Sequence, residues 1–167
     1  MRRPMDDVQR LLDEAAIRRV LYRYCRGIDR IDAELIRSAY WPGATDDHGV
    51  FTGSAEEFAR WVVGVLATFE QTQHSLHQTS IDVLGDRAFT ETYFDARHRL
   101  RREGRLMLET FGGRYLDRFE RRDGEWRIAH RVVVHDWSRI EEVPATYPNE
   151  MFAQGLRSRD DLSYRRD

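Results

Sequence analysis

The hydrophobic pattern of the chain changes its period near Glu70, and this change limits the possible folds more than any other feature. Before it, apolar residues recur every three or four positions, which is typical of amphipathic helices. After it, apolar and polar residues alternate, which is typical of strands with one buried face. Helices followed by strands predict an α+β domain, with the helices packed on one face of a curved, meandering antiparallel sheet.

Three helices are predicted in the first part of the chain. A long one covers residues 8–28, and a short one begins near Asp32. The short helix stops at Trp41-Pro42-Gly43, because proline disfavours helical geometry at the residue before it. Ser54 and Glu57 form a capping box, in which side chains satisfy free backbone amides, so a third helix begins there.

Three long strands are predicted in the second part, bounded by turns at Gly85-Asp86, Glu103-Gly104 and Asp123-Gly124. Alternation predicts which side chains share a face of the sheet. The last hairpin has one such set: Trp126, Ile128, His130, Val132 and Val134.

Composition favours a single domain and excludes several kinds of site. The 167 residues predict a domain at 1–140, and the polar stretch 141–167 predicts an arm or a frayed tail. A net charge of -2 disfavours nucleic acid and membranes as partners, and we expect a cytoplasmic protein. Cys25 is the only cysteine, which excludes an intramolecular disulfide, and the absence of lysine excludes Schiff-base chemistry through a lysine amine.

Asp29 is the most unusual charged residue, because it continues a partly apolar face at the end of the first helix. One interpretation is structural: the carboxylate caps the next turn or pairs with Arg26 or Arg30. The other interpretation is that Asp29 meets a functional partner inside the protein. The sequence pattern leaves both interpretations open.

His74 and His77 open the first long strand, and strict alternation places them on opposite faces. If Ile81 points inward, His77 shares its side and His74 does not, unless a β-bulge intervenes. Taken singly, each is interpreted as a structural strand histidine.

Other histidines differ in their surroundings. His98 lies among apolar neighbours near a strand end, which makes it a stronger functional candidate. His130 is interpreted as structural and His48 as a loop residue. The predicted strand parities do not bring three histidines together in coordination geometry, so no metal site is predicted.

Aromatic residues make a deep apolar cavity possible. The candidates for its walls are Tyr22, Tyr24, Trp41, Tyr93 and Tyr115. A second set is predicted on the outer face of the sheet among charges: Phe89, Tyr93, Phe111 and Phe119. An exposed aromatic patch of this kind predicts a homo-oligomer, either a dimer or a trimer.

Three motifs, taken in order, resemble the SnoaL-like branch of the nuclear-transport-factor-2-like superfamily. They are YCRGIDRIDAELIRSAYW at 24–41, TQHSLHQTSIDVLGDRA at 72–88 and FERRDGEWRIAHRVV at 119–133. The branch includes scytalone dehydratase, hexachlorocyclohexane dehydrochlorinase and bile-acid dehydratase. The resemblance spans about residues 8–138 and implies a cone, in which a strongly bent sheet wraps around helices and encloses a pocket.

The resemblance also implies a set of site residues. It pairs Asp29 with His74 as a dyad, which requires His74 to point inward against simple alternation. Tyr24 matches a pocket tyrosine and His98 a second histidine, so these four are the predicted catalytic residues. The predicted substrate-binding residues are Tyr22, Trp41, Phe58, Trp61, His77, Tyr115 and His130.

The implied function is a lyase or isomerase that needs no cofactor, in which Asp29 orients His74 as a base. The base removes a carbon-bound proton from a small, apolar, cyclic substrate. Among the possible reactions, the resemblance favours dehydration. Two departures set the chain apart from named family members: the missing lysine, and Gly113 and Tyr115 where scytalone dehydratase carries polar residues. The alternatives are a polyketide cyclase or ketosteroid-type isomerase, a non-catalytic ligand-binding module, and the small subunit of a ring-hydroxylating dioxygenase.

Overall fold

The computed structural model of the protein describes residues 7–144 and 146–165. The α-helices within these ranges are α1 Asp7–Arg30, α2 Ala33–Ser38 and α3 Ala55–Leu66. The strands are β1 Tyr40–Asp47, β2 Thr52–Ser54, β3 Gln71–Leu84, β4 Arg87–Arg102, β5 Arg105–Arg122 and β6 Glu125–Glu142. Single turns of 3₁₀-helix follow at Asn149–Met151 and Leu162–Tyr164.

The strands form one mixed sheet in the order β2-β1-β6-β5-β4-β3. Strand β1 runs parallel to β6, whereas every other neighbouring pair is antiparallel. Helix α1 contacts β3 and β6, and α3 contacts β1 and β2. The predicted α+β fold, with helices packed in a curved sheet, is confirmed.

The predicted turns are present, but in the described chain they separate four long strands, β3 to β6, rather than three. Glu103-Gly104 and Asp123-Gly124 each have two consecutive residues with positive φ, as type I′ hairpin turns require. The sequence did not predict β1 and β2. Strand β1 contains Pro42 and Gly43, which are depleted in strands, and it depends on hydrogen bonds from β6 near the far end of the chain.

The predicted helix starts are confirmed. The Ser54 hydroxyl accepts a hydrogen bond from the Glu57 amide, and the Glu57 carboxylate accepts one from the Ser54 amide. Asp32 caps α2 by accepting the Leu35 amide at 3.1 Å. None of the described helices is both long and apolar enough to cross a membrane.

A β-bulge in β3 determines which of its histidines faces the interior. The register with β4 shifts between Leu76 and Thr79, so alternation is interrupted there. The side chain of His74, before the bulge, is 9% exposed, whereas that of His77 is 46% exposed. The prediction that His77 shares the inner face with Ile81 is therefore wrong, and His74 points inward.

A second bulge reverses alternation in β6. The register with β5 shifts beside Ala129. Ile128, before this point, is fully buried, whereas His130 lies on the outer face of the sheet and Arg131 enters the core. The predicted common face is therefore wrong beyond Ile128, because the extra residue moves the following side chains to the opposite face.

The predicted outer aromatic set is correct only in part. Phe89 and Tyr93 are 49% and 39% exposed. Phe119 is fully buried and Phe111 lines the interior. Both are paired with buried alanines of β4, and directly paired residues of antiparallel strands point to the same face, so they point inward.

The segment after β6 packs on the domain as an arm. Arg157 donates hydrogen bonds to the carbonyls of Leu66 and Phe69, at 2.8 and 2.6 Å. Arg159 forms an ion pair with Asp32 at 3.0 Å. These contacts hold the arm against the end of α3 and the start of α2.

Candidate active site

A cavity of about 280 Å³ lies between α1, α3 and the inner face of the sheet. Its walls are mostly apolar, and histidines are prominent among the few polar side chains. The lining residues are Tyr24, Ile28, His48, Val50, Trp61, Val62, Val65, Leu66, Phe69, His74, Phe94, Ala96, His98, Glu109, Phe111 and Val133. An apolar cavity with a few convergent polar groups is typical of a small-molecule site.

Asp29 at the end of α1 and His74 near the start of β3 are in direct contact. Nδ1 of His74 lies 2.8 Å from Oδ1 of Asp29, and the His74 amide donates to Oδ2 at 3.0 Å. The hydroxyl of Thr72 donates to Oδ1 at 3.0 Å. These three contacts satisfy the carboxylate. Because Nδ1 is engaged, Nε2 is the ring nitrogen of His74 that is left for a ligand in the cavity.

Neither structural partner predicted for Asp29, the next turn or an arginine at 26 or 30, is found among its described contacts. Arg26 and Arg30 contact the C-terminal arm instead of Asp29. The residue that caps α2 is Asp32. Asp29 therefore uses its carboxylate to hold the imidazole ring and the first residues of β3.

His98 lies beside His74 in the cavity wall. Their ring centroids are 5.6 Å apart, and Phe69 stacks on His98 at 4.6 Å. Burial, and to a smaller extent the neighbouring His74, lowers the pKa of His98 from 6.5 to about 4. At neutral pH His98 is therefore an uncharged imidazole that can make hydrogen bonds but is not a cationic acid.

His48, which lines the cavity, forms a second Asp–His pair that was not predicted from the sequence. Nδ1 of His48 lies 2.5 Å from Oδ1 of Asp46, and Asp46 has no solvent exposure. The Tyr40 hydroxyl donates to Oδ2 of Asp46 at 2.5 Å, and Nε2 of His48 lies 3.5 Å from the Tyr24 hydroxyl. The available signal was the Asp-x-His spacing, which places both residues on one side of an extended chain once β1 is recognised.

Tyr24 separates the cavity from a buried ion pair. Its ring lies 4.2 Å from the guanidinium of Arg131, which also stacks on Tyr115 at 4.0 Å. Arg131 makes two 2.7 Å hydrogen bonds to Asp117, and both side chains are fully buried. Burial raises the pKa of Tyr24 well above its usual range, so the cavity contains an uncharged phenol.

Several predicted substrate-binding residues lie outside the cavity. Tyr22 is 57% exposed on the outward side of α1. Trp41 lies on the surface, where its indole N–H donates to the Glu120 carbonyl at 2.8 Å. His77 and His130 are turned away from the cavity because bulges reverse the alternation of their strands.

Two further predicted residues are buried behind the lining. Phe58 stacks on His48 with ring centroids 4.4 Å apart, and Tyr115 lies beneath Arg131. Trp61 does line the cavity. The structure adds lining residues that the sequence did not identify: Glu109, Phe111 and Val133.

The polar groups that converge on the cavity are acids, bases and a phenol. Within the described ranges, no three His, Cys, Asp or Glu side chains come together as a metal site. A positioned imidazole can remove a proton from a bound substrate or return one to it. The arrangement is therefore suited to proton transfer.

The sequence matches one family model, described as a SnoaL-like domain, over residues 9–132. This match covers every element from α1 to the first half of β6, and so most of the cavity wall. No curated protein sequence matches the chain significantly.

Solved structures with very different sequences share the fold. A hexachlorocyclohexane dehydrochlorinase, LinA type 2, has a TM-score of 0.75 at 20% identity, over 86% of this chain and 99% of its own. A candidate scytalone dehydratase from Novosphingobium aromaticivorans has a TM-score of 0.70 at 20% identity, over 84% and 95%. A candidate aromatic ring hydroxylase from the same species has 0.68 at 18% identity, over 80% and 94%. These likenesses establish the fold and leave the reaction to the site itself.

Proposed function

The chain belongs to the SnoaL-like domain family, and from this premise we propose that it is a lyase or isomerase acting on a small, mostly apolar, cyclic substrate. His74 removes a carbon-bound proton, and dehydration is the preferred reaction. The observation that carries the proposal is the 2.8 Å contact between Nδ1 of His74 and Oδ1 of Asp29, beside an apolar cavity.

Asp29 has the role of orienting the base. Its Oδ1 accepts the Nδ1 proton, which fixes the tautomer of His74 and leaves the lone pair on Nε2. Its negative charge also stabilises the imidazolium that forms when Nε2 takes a proton. Thr72 and the His74 amide hold the carboxylate in place, so neither ring nor carboxylate must reorganise during the reaction.

Proton removal next to a carbonyl develops negative charge on the carbonyl oxygen, which needs a hydrogen-bond donor. His98 and Tyr24 both line the cavity, and both are uncharged at neutral pH. Either one can donate a hydrogen bond to an enolate oxygen without losing its own proton. The proposed step uses only side chains of this protein.

The substrate class follows from the size and polarity of the cavity. About 280 Å³ accommodates a molecule of one or two rings, near the lower limit of typical ligand pockets. Ile28, Leu66 and Phe94 present aliphatic and aromatic surface, which favours a hydrocarbon skeleton with few polar groups.

The rival functions differ in what they require of this site. A cyclase or ketosteroid-type isomerase would use the same base on another substrate. A purely scaffolding role requires neither an open cavity nor contact between Asp29 and His74, and both are present in the described residues. A ligand-binding module would also have an open cavity, and the exchange assay below distinguishes it from an enzyme. The open cavity and the paired carboxylate therefore favour catalysis over scaffolding.

We also propose that the protein forms a homo-oligomer through the outer face of its sheet. Phe89, Tyr93 and Trp137 are between 39% and 49% exposed there. Large exposed aromatic groups on one face are typical of an interface. Sedimentation equilibrium of the purified protein tests this, and a monomer at micromolar concentration contradicts it.

The function is tested by hydrogen–deuterium exchange at the carbon next to a ketone. 2-Tetralone is incubated with the protein in D₂O, and loss of the α-proton signal is followed by NMR. We expect His74→Gln to slow the protein-catalysed exchange by about 10²–10⁴-fold. The matched control is His77→Gln, because His77 lies on the same strand and also contacts an aspartate, Asp95 at 3.3 Å, but outside the cavity. Equal rates for wild type and His74→Gln contradict the proposal.

A further inference from the structure

We propose that the Asp46–His48 pair is the proton donor of this cavity, complementary to the base. His48 delivers a proton to the leaving hydroxyl group while His74 removes the carbon-bound proton. This inference rests on the proposed function of His74 and assigns the acid that an elimination of water requires. The two Asp–His pairs come from different parts of the fold, the end of α1 with β3, and β1 with the turn that follows it.

The geometry of the second pair fixes the direction in which His48 can act. Asp46 is fully buried and engages Nδ1 of His48 at 2.5 Å. The ring is held against Phe58, with centroids 4.4 Å apart and planes inclined by 24°. Nδ1 is therefore occupied, and Nε2 is directed to the cavity side, 3.5 Å from the Tyr24 hydroxyl.

The surroundings of Asp46 give its carboxylate few partners besides His48. Asp117 and Arg131 are fully buried and neutralise each other through two hydrogen bonds. The remaining neighbours, Tyr24 and Tyr40, are phenols that stay uncharged, because burial raises their pKa values. A buried carboxylate is costly unless it is paired. The Tyr40 hydroxyl contacts Oδ2 of Asp46, and the His48 ring contacts Oδ1.

His98 does not replace His48 as a cationic donor. Burial lowers its pKa to about 4, so it carries no spare proton at neutral pH. Of the histidines that line the cavity, His74 is assigned as the base and His98 is uncharged. His48 is the one whose ring nitrogen is backed by a fully buried carboxylate.

The step balances as a dehydration of a β-hydroxy ketone. The C–H bond next to the carbonyl breaks, its proton goes to Nε2 of His74, and its electron pair forms the enolate. The enolate then expels the hydroxyl group, and the C–O bond breaks as Nε2 of His48 donates a proton. The products are an enone and water, while His74 ends protonated and His48 neutral. Exchange with solvent restores both.

The test compares two substrates that share a ring but differ in the group that leaves. 3-Hydroxycyclohexanone must lose hydroxide, which needs a proton, whereas 3-chlorocyclohexanone loses chloride, which does not. Formation of cyclohexenone is followed by absorbance for wild type and His48→Gln. We expect the hydroxy-to-chloro rate ratio to fall by about 10²-fold in His48→Gln. The control His130→Gln removes an outer-face histidine that contacts Thr45 at 2.7 Å, and it leaves the ratio unchanged.

Asp46→Asn is the second variant, and it lowers the same ratio because it removes the charge behind His48. A general loss of folding would lower both rates and leave their ratio intact, so the ratio separates the two effects. An unchanged ratio in His48→Gln overturns the inference. If wild type converts the chloro ketone but not the hydroxy ketone, the result supports His74 as the base and contradicts His48 as the proton donor. If wild type converts neither, both proposals fall.

Discussion

Nδ1 of His74 in β3 lies 2.8 Å from Oδ1 of Asp29 in α1, although 45 positions separate the two residues along the chain. The contact depends on the bulge in β3, which turns His74 inward and His77 outward. It also depends on where α1 ends, because Asp29 in its last turn points toward the start of β3. The bulge in β3 and the end of α1 together bring this aspartate and this histidine into contact.

The proposed orienting role of Asp29 predicts that a conservative substitution there greatly slows proton exchange. Asp29→Asn keeps the shape of the side chain but removes the negative charge that stabilises the imidazolium in the proposed mechanism. We expect the exchange rate of 2-tetralone to fall by about 10²–10⁴-fold, with little change in ketone binding. The matched control is Asp95→Asn, which alters the His77 pair on the outside of the sheet. Equal rates in the two variants would remove Asp29 from the mechanism.

The buried position of His98 predicts that the folded protein loses stability in acid. Burial and His74 lower its pKa from 6.5 to about 4. Between pH 6.5 and pH 4 the unfolded chain binds a proton that the folded protein does not. The free energy of unfolding is therefore highest above pH 6.5 and decreases as the pH falls toward 4. The loss is about 3 kcal/mol. The free energy of unfolding, measured with urea, should decrease between pH 7 and pH 4.5 by about 2–3 kcal/mol less in His98→Gln than in wild type. The same acid sensitivity as wild type would contradict the burial argument.

The Asp117–Arg131 pair predicts non-additive stability. Arg131→Met leaves a buried carboxylate without its cation, which is expected to cost about 3–5 kcal/mol. Adding Asp117→Leu removes the stranded charge, so the double variant should be more stable than Arg131→Met alone. Chemical denaturation of the two variants measures this. A double variant less stable than Arg131→Met would show that packing, not charge, dominates there.

The close packing around Gly113, behind the lining residues Phe94 and Phe111, predicts a steric effect of adding a side chain there. A Cβ there would lie 2.3 Å from the Val134 carbonyl oxygen, a backbone atom that cannot move aside. Gly113→Ala should therefore destabilise the protein by about 1–3 kcal/mol. The control is Gly64→Ala in α3, where a Cβ meets nothing within 4 Å and alanine should stabilise by about 0.5–1 kcal/mol. Thermal unfolding that ranks the two variants the other way contradicts this account.

Local signals in the sequence predicted the local structure well. The capping box of Ser54 and Glu57 and the turns at Glu103-Gly104 and Asp123-Gly124 depend on neighbouring residues alone, so their sequence patterns are sufficient. The change of period near Glu70 located the start of the four long strands, at Gln71. The α+β class followed from these features.

Features that depend on distant pairing were not predictable in the same way. A one-residue bulge moves every later side chain to the opposite face, and nothing in the sequence near Leu76 or Ala129 marks it. The inward position of His74 was available only from the family resemblance. Strand β1 is held by β6, so the position of Asp46 in a strand was not predicted and its pairing with His48 was missed.

The most direct test of the central claim is chemical rescue of the base. His74→Ala creates space in the cavity wall beside Asp29, and added imidazole can occupy it. We predict that His74→Ala is inactive in the 2-tetralone exchange assay and that imidazole restores exchange in a saturable manner. The double variant Asp29→Asn with His74→Ala should be rescued far less. Exchange by His74→Ala at the wild-type rate without imidazole would contradict the assignment of His74 as the base.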